Sequence, residues 1–157
     1  MIGAWLAIRG VRRTYEHLNR RDLDAFLAAW ADDATFDFPG DVWASGRFAG
    51  KPALRGWFER FLATFPGLRF TLLHVAVARP WTLGAANEAL VEWEIDLENR
   101  AGERNHNRGV TSIEVRGGKV AAARDFLFDT GPRFRRIWSE PPAALDPRAA
   151  AATPTRG

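Results

Sequence analysis

The side chains of this chain that could do chemistry are few, and carboxylates dominate them. The sequence of 157 residues contains no cysteine, which excludes disulfides, thiolate metal sites and a cysteine nucleophile. Its three histidines lack ligand spacing and no acid joins them in a metal motif, so we expect no metal. No glycine-rich phosphate loop, nucleophile elbow or dinucleotide fingerprint is present, and we expect no cofactor. The most interesting acid is Asp125, which lies in an apolar, β-prone segment.

Strand alternation places Asp125 on an inner face. The apolar residues of 91–97 alternate with four acids between 92 and 98, which is typical of a strand with one buried and one solvated side. Turns at Gly102 and at Gly117–Gly118 then lead into two further strands. Alternation predicts these inward residues on the three strands: Val91, Trp93, Ile95, Leu97, Asn107, Thr111, Ala123, Asp125 and Leu127.

A carboxyl group on an apolar wall is a candidate general acid or base. Desolvation disfavours its charged form and raises its pKa, which suits proton transfer near neutral pH. Arg124 would oppose this shift, but as the adjacent strand residue it points to the other face. A buried carboxyl needs hydrogen-bond donors, and the candidates are Thr111, Asn107, Tyr15 and the indoles of Trp57 and Trp93. Alternatively, Asp125 is a structural acid bonded to backbone or a buried water, or a bulge reverses the alternation.

The histidines are weaker candidates for proton transfer. His17 lies one helical turn beyond Thr14 and could reach a pocket, although the surface is the ordinary position for a helix histidine. His74 could face either way. Alternation turns His106 outward and its neighbour Asn107 inward.

The helices that must support this wall lie in the first half of the chain. Apolar residues at three- and four-residue spacing predict a helix over about residues 5–18. Asp22 can cap a second helix that carries Trp30 on its inner face and ends at Asp32–Asp33. A short strand over 35–38 comes next.

A loop and a third helix follow this strand. The stretch 41–50 contains Trp43 and is expected to be a loop folded over apolar residues. Pro52 opens the third helix, which ends before Pro66. Strands over about 68–77, 91–97, 110–115 and 120–128 complete the predicted elements.

These elements predict an α+β fold with three N-terminal helices packed on a bent antiparallel sheet around a pocket. We expect one domain over residues 1–139 and a disordered tail over 140–157, where proline, alanine and arginine dominate. The apolar start of the chain is interrupted by arginines from Arg9 onward and predicts neither a signal peptide nor a membrane span. The net charge is +3 with scattered arginines, so we expect no nucleic-acid partner. The absence of cysteine is compatible with a reducing compartment, and we expect a cytoplasmic location.

Three segments resemble a known family. They are residues 11–39, with the runs 19–24 (NRRDLD) and 30–39 (WADDATFDFP), residues 50–58 (GKPALRGWF), and the pair 117–120 (GGKV) and 124–129 (RDFLFD). Over about residues 11–130 the chain resembles the SnoaL-like cyclases and ketosteroid isomerases of the nuclear-transport-factor-2-like superfamily. The resemblance implies a cystatin-like fold, a cone-shaped barrel in which three N-terminal helices pack on a strongly curved, mostly antiparallel sheet.

The chemistry of the ketosteroid isomerases is not carried over. The position of their catalytic aspartate holds Phe38, and that of their protonated aspartate holds Thr111. Their oxyanion-binding tyrosine corresponds to Thr14, and the neighbouring Tyr15 is expected to point elsewhere. In SnoaL-like cyclases and limonene-epoxide hydrolases an aspartate on the last strand is an acid or base, and the match implies this role for Asp125. The hydrolases also use an arginine between two acids, where this chain has Ile95.

The sequence therefore predicts a cofactor-independent isomerase, cyclase or hydrolase that acts on a small lipophilic or aromatic molecule through Asp125. The alternatives are a non-catalytic module that binds a ligand or dimerises, and a decayed enzyme. Outward Phe126, Phe128 and Val110 predict a homodimer through the outer sheet face. The predicted ligand contacts are Thr14, Tyr15, His17, Phe38, Trp43, Trp57, Trp93, Ile95, Asn107, Thr111 and Leu127.

Overall fold

The computed structural model describes residues 2–79 and 87–139. The predicted tail over 140–157 lies outside these residues. The elements are α1 (Ile2–Asn19), α2 (Leu23–Ala28), β1 (Trp30–Phe38), β2 (Gly46–Ala49), α3 (Lys51–Thr64), β3 (Gly67–Val77), β4 (Asn87–Glu98), β5 (Arg104–Arg116), β6 (Lys119–Leu127) and α4 (Pro132–Ser139).

The six strands form one curved sheet in the order β2-β1-β6-β5-β4-β3. All neighbours are antiparallel except β1 and β6, which are parallel. The predicted α+β architecture with a curved, mostly antiparallel sheet is confirmed. The sheet stays open, because the edge strands β2 and β3 do not pair with each other.

The second helix is shorter than predicted. Asp22 caps it as expected, its carboxylate accepting the backbone N–H of Ala25 at 3.1 Å. However, α2 ends at Ala28, and Trp30 begins β1 instead of completing the helix. The reason is tertiary pairing: the N–H of Val120 donates to the carbonyl of Ala29, which draws this stretch into the sheet beside β6.

Two elements were not predicted. The stretch 41–50 contains the short strand β2, which pairs with β1. After β6 the chain forms a fourth helix, α4, whose Phe134, Ile137 and Trp138 are buried. Their spacing of three and four residues is that of one helical face, but a single turn of this pattern next to a proline-rich segment is a weak signal.

The core fills the space between the inner face of the sheet and the helices. Trp57 of α3 packs its ring 4.8 Å from Phe36 and 5.3 Å from Phe38 of β1. Trp138 of α4 lies 5.0 Å from Phe38 and stacks on Phe61 at 5.5 Å. The aromatic rings therefore fasten α3 and α4 to one end of the sheet. Within the described ranges, no helix is both long and apolar enough to span a bilayer.

Candidate functional site

A cavity of about 680 Å³ lies between the inner sheet face and the helices. Its wall is mostly apolar and is built from α1, α2, α3, α4 and strands β1 and β3 to β6. This volume is typical of small-molecule pockets. Among the described residues, Asp125 is the one wall carboxyl away from the rim, since the other acid in the wall, Glu88, is solvent-exposed.

The alternation that placed Asp125 inward holds in the structure. Thr111 of β5 pairs with Asp125 of β6 in regular register, and the bulge between these strands lies farther along, at Glu114 and Val115. Inward residues of β4 such as Val91, Trp93 and Ile95 are buried. The sheet therefore presents Asp125 to the cavity beside Thr111.

The hydroxyl of Thr111 is the centre of a buried hydrogen-bond network. It accepts the indole N–H of Trp93 at 2.8 Å and the phenol O–H of Tyr15 at 3.0 Å. It donates to Oδ1 of Asp125 at 2.6 Å. A hydroxyl has one donor and two acceptor sites, so that of Thr111 is fully used.

This network assigns different roles to the two oxygens of the Asp125 carboxyl. Because the indole of Trp93 can only donate, the arrangement fixes the Thr111 proton toward Oδ1. The other oxygen, Oδ2, accepts no hydrogen bond from the described residues. Asp125 is partly exposed and lines the cavity, so Oδ2 is the oxygen left to meet a ligand or water there.

The environment of Asp125 brings its titration near neutral pH. Burial raises its pKa from the ordinary 3.8 to about 7, and the hydrogen bond from Thr111 acts in the opposite direction. Burial also raises the pKa of Tyr15, as does the nearby charge of Asp125, while its bond to Thr111 lowers it. Tyr15 therefore stays a neutral donor when Asp125 ionises.

Tyr15 reaches the centre of the cavity. The comparison with the ketosteroid isomerases pointed it elsewhere, whereas it was also a candidate donor to Asp125 and a predicted ligand contact. Its side chain is buried, and its hydroxyl reaches Thr111 rather than Asp125 itself. Its ring packs edge-on against Phe70 of β3 at 5.3 Å. Thr14 also lines the cavity, with its hydroxyl bonded to the backbone carbonyl of Gly10 at 2.9 Å.

Gly109 was missed by the sequence reasoning and is needed for this geometry. It faces inward on β5 opposite Trp93. A Cβ at this position would lie 2.6 Å from Cη2 of Trp93 and 2.6 Å from the carbonyl oxygen of Phe126. The indole therefore lies directly across the glycine backbone, which brings its N–H to Thr111. A glycine inside a strand is the sequence signal for such a close approach.

Most of the predicted ligand contacts lie at the cavity wall: Thr14, Tyr15, His17, Phe38, Trp57, Trp93, Ile95, Asn107, Thr111 and Leu127. Trp43 is the exception. Its ring packs 6.2 Å from that of Trp57 and 5.8 Å from that of Trp138, beneath the guanidinium of Arg60. It therefore packs behind the aromatic wall, and the loop beside it is held by the bond from the Trp57 indole to the carbonyl of Ala44.

Two candidate donors to Asp125 are used elsewhere. The amide of Asn107 donates to the carbonyl of Asp129 at 2.7 Å and accepts the N–H of Arg108 at 2.8 Å. It thus ties β5 to the segment before α4. The indole N–H of Trp57 is occupied by Ala44, so the network at Asp125 contains Thr111 directly and Tyr15 and Trp93 through it.

The histidines contribute little to the centre of the cavity. His17 lines it, with Nδ1 3.8 Å from a carboxylate oxygen of Asp22. His74 and His106 are exposed on the outer sheet face, where they contact Glu92 and Asp96. Among the described residues, no three metal-binding side chains form a group that could hold an ion.

Residues 11–123 match the family model of the SnoaL-like domain. A comparison with curated proteins finds no significant match. Among solved structures, the chain is similar to Bal32a from a soil-derived mobile gene cassette, with a TM-score of 0.73 and 20% identity over 87% of this chain and 98% of that chain. At this level of identity, the likeness shows the fold alone.

Two further similar structures contain small molecules. TerC, co-crystallised with polyporic acid, has a TM-score of 0.68 and 18% identity over 84% of this chain and 98% of its own. RV0760c from Mycobacterium tuberculosis, in complex with estradiol-17beta-hemisuccinate, has a TM-score of 0.66 and 20% identity over 76% of this chain and 92% of its own. These likenesses again establish the shared fold.

The raised pKa of Asp125 predicts a pH-dependent cost to stability. Between about pH 4 and pH 7 the unfolded chain has lost this proton and the folded chain retains it, so the free energy of unfolding falls as pH rises and levels off above pH 7. Relative to Asp125→Asn, the free energy of unfolding of the wild type should fall by up to about 4 kcal/mol across this pH range. Urea denaturation at pH 4.5, 6 and 8 measures the difference, and a difference independent of pH would contradict the raised pKa.

The contact at Gly109 predicts that Gly109→Ala displaces the Trp93 ring and weakens its bond to Thr111. We expect a loss of about 1–3 kcal/mol in the free energy of unfolding from overpacking and a shift of the Trp93 indole N–H resonance. Gly56→Ala on α3 is the control, because its Cβ meets no heavy atom within 4 Å. Equal stability and unchanged indole resonances in both variants would show that the close approach is unimportant.

Proposed function

The chain belongs to the SnoaL-like domain family, and we propose that it binds a small lipophilic or aromatic molecule on which Asp125 acts as a general acid or base without a cofactor. The observation that carries this proposal is the carboxyl of Asp125, with one oxygen held by Thr111, the other accessible at an apolar cavity, and a pKa of about 7. A group that titrates near the working pH is populated in both the accepting and the donating form.

The cavity supports a ligand of this kind. TerC and RV0760c share the fold and were crystallised with small organic molecules, which supports a small-molecule ligand here. The apolar wall favours a lipophilic body, and its aromatic rings, among them Trp57 and Trp93, suit an aromatic one. Further contacts are proposed for Thr14, Tyr15, His17, Phe38, Ile95, Asn107, Thr111 and Leu127.

The proposed reaction moves a proton at Oδ2. As a base, the ionised Asp125 removes a proton from an acidic carbon or a hydroxyl of the ligand; as an acid, it returns a proton to the same or a neighbouring atom. Tyr15 and Trp93 hold Thr111, and Thr111 holds Oδ1, so the carboxyl need not reorient between the two steps. Such a proton shift serves an isomerisation or a cyclisation.

Epoxide hydrolysis and authentic ketosteroid isomerisation fit less well. Glu94 and Asp96 lie on the outer sheet face, where they contact Arg108 and His106, and Ile95 between them is apolar. The positions of the isomerase acids hold Phe38 and Thr111. We therefore propose an isomerase-like or cyclase-like activity that depends on a single carboxyl.

A second candidate is a non-catalytic module that binds a ligand or dimerises. One observation favours this candidate: the hydrogen bond from Thr111 is also what a purely structural, buried Asp125 would need. On the outer face, Phe126 and Phe128 are 49% and 62% exposed, and Val110 pairs with Phe126. We propose that these side chains form a homodimer interface, which is compatible with either function.

A cysteine-free chain is also compatible with the cytoplasm, which we propose as its location.

Proton transfer by Asp125 can be tested without knowing the natural substrate. In D₂O, the wild type should catalyse exchange of the α-protons of a panel of cyclic lipophilic ketones, with 1-tetralone as the first member, followed by proton NMR. Asp125→Asn retains the acceptor for Thr111 but cannot take the proton, so exchange should fall at least about 100-fold. The wild-type rate should rise with pH through about 7, as Asp125 ionises.

Asp129→Asn is the matched control, because that carboxylate accepts the N–H of Gly131 and lies outside the cavity wall. Its exchange rate should equal that of the wild type. An unchanged rate in Asp125→Asn would exclude Asp125 as the base. Ketone binding by the wild type without any exchange would favour the non-catalytic module.

The dimer predicts that Phe126→Glu dissociates the protein, because a charge replaces an apolar contact at the centre of the interface. Sedimentation velocity at micromolar concentrations should show a dimer for the wild type and a monomer for the variant. Trp5→Glu replaces another exposed aromatic residue, on the helix α1 that lines the cavity at the inner face of the sheet, and should remain a dimer. A monomeric wild type would remove this interface.

A further inference from the structure

The cavity has an open end and a closed end. Five of the residues that the structure describes both line it and are exposed to solvent, and they therefore mark its mouth: Gly10, Arg13, Ala28, Glu88 and Gly118. At the other end, wall residues such as Phe61, Phe134 and Trp138 are buried. The mouth lies between α1, the end of α2, the start of β4 and the β5–β6 turn, and α4 closes the far end.

Asp125 lies well inside this mouth. Strands rise about 3.3 Å per residue, so β6 carries Asp125 roughly 20 Å along the strand from Gly118 at the rim. On the α1 side the path is shorter, because Tyr15, whose hydroxyl reaches Thr111, lies only about 7.5 Å along the helix from Gly10. Asp125 is itself only partly exposed, so a ligand must enter the cavity to reach the carboxyl.

Gly10 is unusual at this rim because neither backbone nor packing requires it. It lies inside α1, where glycine costs about 1 kcal/mol relative to alanine. It does not have a positive φ, and a Cβ added to it would meet no heavy atom of the described residues within 4 Å. Gly118, in contrast, has φ 75° and is required by its turn. Gly10 therefore combines open space around its Cα with a position on the wall of the cavity.

We propose that ligands enter the cavity over Gly10 and that this glycine sets the width of the entrance, making position 10 a determinant of ligand size. The ligands it admits are lipophilic molecules, in keeping with the apolar wall behind the entrance. This inference rests on the proposed function in taking the cavity as the ligand site, but it does not depend on proton transfer.

The test is the association rate of prodan, a neutral naphthyl ketone whose fluorescence reports an apolar environment. Stopped-flow mixing measures the rate, and the Trp93 indole N–H resonance verifies that prodan occupies the cavity. Gly10→Phe should lower the association rate constant at least tenfold. Gly10→Leu, which suits a helix better, should lower it in the same direction and guards against a folding defect in the first variant.

Gly56→Phe provides the matched control. Gly56 is also an exposed glycine inside a helix with no heavy atom within 4 Å of an added Cβ, but it does not line the cavity. Its variant should bind prodan at the wild-type rate. Wild-type rates in both Gly10 variants, or equal slowing in Gly56→Phe, would overturn the proposed entrance. Normal prodan entry in a wild type that exchanges no ketone protons would overturn the proposed function and leave the entrance standing.

Discussion

The hydroxyl of Thr111 joins three elements that are far apart in the sequence. Through it, Tyr15 of α1, Trp93 of β4 and Asp125 of β6 share one set of buried hydrogen bonds. Inside an apolar cavity, an unpaired polar atom costs about 1–3 kcal/mol, so each of these groups stabilises the fold only while the others are in place. The position of α1 over the sheet, the orientation of the Trp93 ring and the exposure of Oδ2 all depend on this constraint.

The cavity is sustained by rigid packing on one side and by the absence of side chains on the other. At the closed end, aromatic rings from β1, α3 and α4 contact one another, so this end cannot collapse onto the space beside Asp125. In the sheet, Gly109 leaves room for the Trp93 ring, whose Cη2 and Cζ2 atoms lie 2.6 Å and 2.7 Å from where a Cβ would stand. The inner face of the sheet therefore carries the large side chain of Trp93 and still leaves an open cavity beside it.

The sequence was sufficient where a short-range pattern determines the structure. Alternation over β4 and β6 predicted the inward row that contains Asp125, because a strand with one solvated face leaves a period of two in its side chains. Prediction from the sequence failed where contacts between residues far apart in the chain determine the structure. Trp30 fits the inner face of a helix but joins β1 because β6 pairs with it, and α4 is stable because Trp138 packs on rings from α3 and β1. The inward turn of Tyr15, which the family resemblance did not imply, likewise depends on an acceptor 96 positions later.

The single carboxyl at the centre of the cavity determines how it can titrate. If position 111 carried an acid, as in the ketosteroid isomerases that the sequence resembles, two carboxyls would share one apolar site, and the charge of one would raise the pKa of the other. Threonine at this position supplies a donor to Asp125 without adding a charge. Desolvation and one hydrogen bond then oppose each other, and the balance leaves Asp125 with a pKa of about 7. With threonine at position 111, Asp125 therefore titrates as a single carboxyl near neutral pH.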